Sequence, residues 1–150
     1  MKTSSILRKV AVLFALLFVL FPAASRAAET HDGATSAHVR VVVQVSDDDE
    51  KKWNLALNNA KNVQQALGAG NVDIEIVAYG PGINMLKFES VVGERVDAAI
   101  KSGVTIVACQ NTMKAQKLDK KDMLSTVGYV PAGVVEIIRK QGEGYAYLRP

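Results

Sequence analysis

The chain has 150 residues and a formal net charge of +3, but four of its 18 basic side chains and none of its 15 acidic ones fall in the first 27 residues. The remaining 123 residues therefore carry 14 basic and 15 acidic side chains, a balance that gives no electrostatic support for a nucleic-acid partner. That length suits one domain with its own hydrophobic core, and a single cysteine excludes an internal disulfide.

Residues 1–27 have the pattern of a signal peptide. Lys2, Arg8 and Lys9 form a basic start, residues 10–20 are apolar, and small residues before Ala28 provide a cleavage site. The apolar run is shorter than the roughly 20 residues of a transmembrane helix, so an uncleaved N-terminal anchor is the less favoured alternative. We expect a periplasmic or secreted protein with no membrane attachment after cleavage.

Polar residues 28–37 predict a flexible leader, and the domain is expected over residues 38–150. The β-branched run at 38–45 predicts a first strand. Residues 46–70 then predict an amphipathic helix with Trp53 and Leu57 on its buried face, a cap at Ser46 or Asp47, and an end at Gly68 or Gly70.

A second strand is predicted at 71–79, followed by the sequence "YGPGI". Gly80 and Gly82 flank Pro81 in this sequence, which is typical of a tight turn. The turn is expected to wall one side of a pocket beyond the strand ends; presentation of its backbone N–H groups to an anion is the alternative. Residues 85–102 predict a second helix that ends at Gly103.

The third strand, 104–109, ends at Cys109, and "QNTM" follows it. Asn111 and Thr112 are good N-caps for a third helix. A thiol at a helix N-terminus has a lowered pKa and forms a nucleophilic thiolate, a chemistry that suits sulfur transfer and requires the sulfur to be open to solvent. The alternative is a small, inert core residue, because free cysteine is among the most buried residue types.

Two further strands, 126–130 and 145–149, enclose a fourth helix that is expected to begin at Pro131 and end at Gly142. Alternating strands and helices, with strands that are apolar almost throughout, predict an α/β fold with a mostly parallel five-stranded sheet between two helical layers.

Other polar motifs have simpler interpretations. The acidic run 47–50 lacks the spacing of a calcium loop and suits a helix start. His31 and His38 have no third ligand in the sequence pattern, so no metal site is predicted. Asn54, Asn58 and Asn62 form a stripe along the first helix, which is either a hydrogen-bonded contact face or a solvated one.

Four stretches together, "VVVQVSDDDEKKWNLALNNAKNV", "IEIVAYGPGI", "GVTIVACQNTM" and "VPAGVVEIIRKQGEGYAYLRP", resemble the DsrE/DsrF-like family, also called YchN-like, over residues 41–150. The resemblance is greatest to its exported branch. It implies a five-stranded α/β/α domain that assembles as a homo-oligomer, a trimer or hexamer. In sulfur-relay members, a cysteine at the position of Cys109 accepts a persulfide and passes it to a partner protein.

Gly80 and Gly82 match the family only as a turn, and "QKL" at 116–118 departs from a common pattern of a basic residue followed by glycine. The sequence is therefore interpreted as an exported persulfide carrier that works through Cys109, beside a turn of Gly80, Pro81 and Gly82 and the helix start at Asn111 and Thr112. It would need no metal or nucleotide cofactor, and a sulfur donor or acceptor protein would be its partner. The alternative is a non-catalytic, homo-oligomeric binding or assembly module with a structural cysteine.

Overall fold

A computed structural model describes residues 38–150; the predicted signal peptide (1–27) and leader (28–37) lie outside the described residues. Strands and helices alternate in the order β1 (Val39–Val45), α1 (Glu50–Leu67), β2 (Val72–Ala78), α2 (Gly93–Lys101), β3 (Thr105–Cys109), α3 (Gln110–Ala115), β4 (Gly128–Val130), α4 (Gly133–Gly142) and β5 (Ala146–Leu148). Three short 3₁₀ segments lie between them, at Ala69–Asn71, Gly80–Leu86 and Lys120–Asp122.

The five strands form one sheet in the order β4-β3-β2-β1-β5, and every neighbouring pair is parallel. β1 pairs with β2 along its whole length, from Val39 opposite Val72 to Val45 opposite Ala78. The predicted α/β fold is confirmed, and the sheet is parallel throughout. Because parallel strands end at the same edge, the segments that follow β1, β2 and β3 are brought together there.

Helices cover both faces of this sheet. On one face, α1 and the 3₁₀ segment 80–86 pack with β-strand side chains in a large cluster that includes Trp53, Leu57, Ile76, Ile83 and Ile106. On the other face α4 covers a smaller cluster, formed by Val42, Val77, Val107, Val130 and Ile137. Both sides of the central strands are buried, which explains their almost continuous apolar sequences.

The start of α1 differs from the predicted cap at Ser46 or Asp47. Asp49 is the N-cap, and its Oδ1 accepts hydrogen bonds from the backbone N–H groups of Lys51 at 2.8 Å and Lys52 at 3.4 Å. The acidic run is thus a helix start, as predicted. The helix ends at Gly68, the first of the two predicted ends, where φ is 86°.

The second predicted helix, 85–102, is wrong over its first half, because α2 begins only at Gly93. Lys87 is extended and forms an antiparallel bridge with Met123. The N–H of Phe88 donates to the carbonyl of Asp122 at 2.9 Å. Pairing with this distant segment therefore replaces the first turns of the predicted helix.

The later elements are shorter than predicted. α4 begins at Gly133, after Pro131, and β4 occupies only Gly128–Val130. α3 ends in a turn in which the N–H of Leu118 donates to the carbonyl of Met113 at 2.9 Å, and Lys117 has φ 56°. Lys117 thus takes the left-handed conformation that glycine favours in such helix ends. No helix within residues 38–150 has the length and apolarity needed to cross a membrane.

Candidate functional site

Cys109 is the last residue of β3, at the carboxyl edge of the sheet, and it is buried, with 4% of its surface exposed. Its Sγ accepts a hydrogen bond from the backbone N–H of Thr112, in the first turn of α3, at 3.4 Å. A second N–H, that of Gly133 at the start of α4, donates to the same sulfur at 3.2 Å. Cys109 is itself the N-cap of α3, a role that the sequence assigned to Asn111 or Thr112.

These contacts determine the acidity of the thiol. Burial opposes ionisation of Cys109 because the charged form loses hydration. The Thr112 side chain and the backbone N–H groups of Gly133, Thr112 and Asn111 act in the opposite direction, and together they hold the pKa of Cys109 below its ordinary value. The lowered pKa of Cys109 therefore results from hydrogen-bond donors on neighbouring residues of the site.

The 79–83 turn is joined to the cysteine site through Thr112. The backbone N–H of Gly80 donates to Thr112 Oγ1 at 2.9 Å, so this oxygen is an acceptor for the turn while its own proton remains available to the sulfur. Gly80 has φ 54°, a conformation that glycine adopts without strain. Gln116 closes the same region, because its Nε2 donates to the carbonyl of Gly80 at 3.2 Å.

The other predicted residues of the turn do not reach the sulfur region in the same way. Pro81 is exposed, and Gly82 is buried against the end of β1, where a Cβ would lie 2.5 Å from the carbonyl oxygen of Val45. The backbone N–H of Asn111 donates to the carbonyl of Pro131 at 3.1 Å, which ties α3 to the segment before α4. The structure thus brings Asn111 and Thr112 to Cys109 and joins Gly80 to it through Thr112. Pro81 and Gly82 are turn residues.

Gly133 is part of this site, although the sequence did not indicate it. A Cβ at this position would lie 2.9 Å from the Cβ of Tyr79 and 3.2 Å from the Cβ of Cys109, so only glycine lets α4 approach so closely. The one signal in the sequence was a glycine within the first turn of a predicted helix, a position where helix propensity alone disfavours it.

Tyr79 forms the wall opposite Gly133. Burial raises the pKa of Tyr79, so its hydroxyl is neutral at physiological pH. Beyond it lies a polar rim: Tyr147 donates its hydroxyl to Gln44 Oε1 at 2.7 Å, and Arg149 lies 3.5 Å from Asp47 Oδ2. Aromatic and polar side chains therefore lie on the Tyr79 side of the buried cysteine.

A second polar cluster lies under α4, deeper in the same face of the sheet. Glu75 on β2 is 5% exposed, and its Oε2 lies 2.7 Å from Nζ of Lys140 on α4. Glu136, one turn earlier on α4, also contacts Glu75 and is held by Arg139. Burial raises the pKa of Glu75, and Lys140 opposes that rise. This buried ion pair holds α4 against the sheet. The first turn of the same helix contains Gly133, which donates to Cys109.

Within residues 38–150, no group of three His, Cys, Asp or Glu side chains is arranged to hold a metal ion. His38, one of the two histidines, lies 3.0 Å from Asp73 at the start of the sheet. His31 lies outside the described residues.

The fold and this site define a class: an all-parallel, five-stranded α/β domain with a lone cysteine at the carboxyl end of a strand, held by N–H groups from two helices. Residues 37–150 match the DsrE/DsrF-like family, and the chain belongs to this family. The family resemblance that the sequence suggested is thereby confirmed.

Three solved structures share the fold. MTH1491 from Methanobacterium thermoautotrophicum, a protein of unknown function, is 39% identical, with a TM-score of 0.71 over 75% of this chain and 99% of that one. BT1422 from Bacteroides thetaiotaomicron is 18% identical, with a TM-score of 0.63 over 79% and 100%. The ychN protein from E. coli is 11% identical, with a TM-score of 0.61 over 75% and 99%. No curated protein matches the chain.

Proposed function

We propose that the protein is a carrier of sulfane sulfur that works through Cys109. The observation that carries this proposal is the set of hydrogen-bond donors on Sγ, from Thr112 and Gly133, which favour the thiolate at a buried position. An inert core cysteine needs no such donors, because a neutral thiol is only a weak acceptor. Membership of the DsrE/DsrF-like family supports a role of the sulfur-relay type.

The proposed transfer has two steps. The Cys109 thiolate attacks the outer sulfur of a persulfide donor; a new S–S bond forms at Cys109, the donor's S–S bond breaks, and the donor leaves as a thiolate. An acceptor thiolate then attacks the outer sulfur on Cys109, which leaves as a thiolate in turn. Each step conserves electrons, so no oxidant, metal or nucleotide is required. Thiosulfate would serve in the first step by releasing sulfite.

The burial of Cys109 favours a second candidate, a homo-oligomeric binding or assembly module in which the cysteine is structural. With only 4% of the residue exposed, the sulfur lies deeper than an open thiolate site requires. A carrier therefore needs the packing around Cys109, which includes Gly133, to open so that a donor can enter. The two candidates differ in whether Cys109 of the folded protein reacts with a persulfide donor.

The deciding experiment is intact-mass spectrometry of the purified protein after incubation with a persulfide donor at neutral pH. We expect Cys109 to gain about 32 Da, the mass of one sulfur atom, and the increment to disappear on addition of a small thiol acceptor. Cys109→Ser should abolish the increment while circular dichroism shows an intact fold.

A matched control moves the thiol to an exposed site without these donors. Ser125 is exposed on the segment before β4, so the double variant Cys109→Ser, Ser125→Cys offers an ordinary surface thiol. The carrier proposal requires Cys109 to retain sulfur more completely than this control. If Cys109 gains no sulfur, or less than the control while the fold persists, the cysteine is structural.

We also propose that the protein is exported, through cleavage after Ala27, to the periplasm or outside the cell, and that it acts as a trimer or hexamer. Exposed apolar side chains support assembly: Val134, Val135 and Ile138 on α4 are 53%, 59% and 63% exposed, and Phe88 is 74% exposed. Sedimentation of the purified protein tests the subunit number. A monomer at all concentrations would contradict the assembly.

A further inference from the structure

Arg95 on α2 is held by two neutral side chains of α1. Its Nη2 donates to Oδ1 of Asn58 at 2.7 Å, and its Nη1 donates to Oδ1 of Asn54. The amide of Asn54 is itself oriented, since its Nδ2 donates to the carbonyl of Glu50 at 2.9 Å. Asn54 and Asn58 of the predicted stripe thus form a contact face for a guanidinium group, whereas Asn62 is exposed.

This arrangement fixes the guanidinium without neutralising it. Asparagine carries no charge, and within residues 38–150 no carboxylate forms an ion pair with Arg95. The two amides use two of the five N–H donors of a guanidinium, so three remain for another acceptor. A planar cation with free donors and a fixed position suits a carboxylate.

Arg95 lies at the rim of a groove of about 320 Å³ between α1 and α2. Its apolar lining comes from Leu57, Ala98, Ala99 and Val104, and its second cation is Lys61. No acidic side chain lines it. One end is held by Gln64 and Ser102, whose side chains hydrogen-bond at 3.1 Å, while Gln64 Nε2 also donates to the Ser102 carbonyl at 2.8 Å.

We propose that this groove binds a small aliphatic carboxylate, with the carboxylate on Arg95 and Lys61 and the hydrocarbon part on the apolar floor. The charge of the rim selects the anion, and the apolar lining disfavours a fully hydrated inorganic one. The volume lies at the lower end of the range for ligand pockets, which limits the ligand to a short chain. The inference is independent of Cys109, because no residue of the cysteine site lines the groove.

An NMR titration of the ¹⁵N-labelled protein with sodium hexanoate tests the proposal. We expect chemical-shift changes centred on the groove residues, with a dissociation constant on the order of 1 mM for a ligand of this size. Hexanamide, which has the same hydrocarbon part without the charge, should bind about tenfold more weakly, as expected for loss of a charge-assisted contact.

The variants separate a fixed site from general charge attraction. Arg95→Gln should weaken hexanoate binding about tenfold, whereas Lys101→Gln removes the same charge from the same helix outside the groove and should leave it unchanged. Arg95→Lys keeps the charge, so a residual affinity above that of Arg95→Gln is expected. Circular dichroism of each variant reports the fold.

The proposal would be overturned by absence of shifts at the groove with hexanoate, by equal binding of hexanamide, or by equal weakening by Arg95→Gln and Lys101→Gln. Sodium sulfate is the remaining probe. Sulfate binding at the groove with an affinity equal to that of hexanoate would assign the site to inorganic anions and would also overturn the carboxylate assignment.

Discussion

At the scale of single residues, the reactivity of Cys109 depends on donors from two different helices. The position of the cysteine at a strand end, and the donor in the next helix turn at Thr112, were predictable because both are local in sequence. The donor at Gly133 was not, because it is supplied by the distant start of α4. The same approach of α4 covers the sulfur, so the predicted open thiol is wrong: Cys109 is 4% exposed.

Thr112→Val tests the hydroxyl at the sulfur. The change keeps the side-chain shape but removes a group that lowers the pKa of Cys109, so the thiolate fraction at neutral pH should fall. We expect alkylation of Cys109 by iodoacetamide to slow about three- to tenfold, the effect of losing one hydrogen bond of about 1 kcal/mol. The measurement is the rate of alkylation against pH, whose midpoint should move upward.

Thr126→Val is the matched control, since the hydroxyl of Thr126 donates to Asp97 at 2.5 Å, in contacts that do not include Cys109. Its alkylation profile should equal that of the unaltered protein.

The lowered pKa of Cys109 also affects the stability of the fold. The thiolate contributes to the free energy of unfolding above the pKa of the unfolded thiol, and this contribution is lost as pH falls through the folded-state pKa. Cys109→Ser should lack this pH dependence.

Gly133→Ala tests the close approach of α4. The added methyl group would meet Cβ of Tyr79 at 2.9 Å, so the helix or the tyrosine must move, and we expect a loss of about 1–3 kcal/mol in the free energy of unfolding. Gly142→Ala, at the other end of the same helix, meets no atom within 4 Å and should raise stability by about 0.5–1 kcal/mol. Urea titration measures both, and equal effects would contradict the packing described here.

At the scale of elements, local pattern predicted helix identity but not every helix boundary. α1 was recognisable because its buried face repeats at helical spacing and its end is a glycine. The first half of the second predicted helix failed because Lys87 pairs with Met123, a contact that no local pattern reveals. At the end of α3, the sequence lacks the glycine that the family pattern has after a basic residue. In the structure, Lys117 adopts the left-handed conformation in this turn, with φ 56°.

Lys117→Gly should therefore stabilise the protein. A left-handed conformation costs a residue with a side chain roughly 1 kcal/mol, and glycine adopts it without that cost. We expect the free energy of unfolding to rise by up to about 1 kcal/mol. Lys114→Gly, within α3, is the control and should lower it by about 1 kcal/mol. A destabilising effect of Lys117→Gly would mean that the Lys117 side chain makes a contact that stabilises the fold by more than the left-handed conformation costs.

Lys140→Met tests the buried pair beneath α4. It leaves the carboxylate of Glu75 buried without its cation, so the free energy of unfolding should fall by about 3 kcal/mol at neutral pH. A carboxyl group whose folded-state pKa is raised stabilises the fold toward acid and loses that contribution as pH rises through the folded pKa. The deficit should thus be smaller at about pH 5 than at about pH 8.

Lys121→Met is the matched control for that experiment. It removes a lysine whose partner, Asp119, lies 3.7 Å away, and both side chains of this pair are exposed. Its effect should be small, because exposed ion pairs contribute little. Equal losses from the two variants, measured by urea titration at both pH values, would show that the Glu75 pair has no special role in holding α4.

At the scale of the whole molecule, the order of strands and helices was predictable because buried parallel strands are apolar on both faces. The spatial order of the strands and the covering of Cys109 depend on tertiary packing and needed the structure. The interpretation of residues 1–27 as a signal peptide stays a prediction. Expression in a bacterium that has a periplasm should yield a periplasmic protein whose first residue is Ala28, as measured by intact mass.

Ala27→Arg provides the control, because a bulky charged residue at the cleavage position blocks processing by signal peptidase. This variant should remain membrane-associated with the mass of the full chain. An unaltered protein that keeps residues 1–27 and stays with the membrane would support the anchor alternative instead.

The sheet has two edge strands, β4 and β5, and each is only three residues long. An edge strand this short offers few unpaired backbone N–H and C=O groups to another chain. Addition of a strand from a neighbouring molecule is therefore disfavoured. Accordingly, we expect association between copies to use side chains of the helices and loops. We therefore expect the protein to have little tendency to form fibrous, amyloid-like aggregates through these edges.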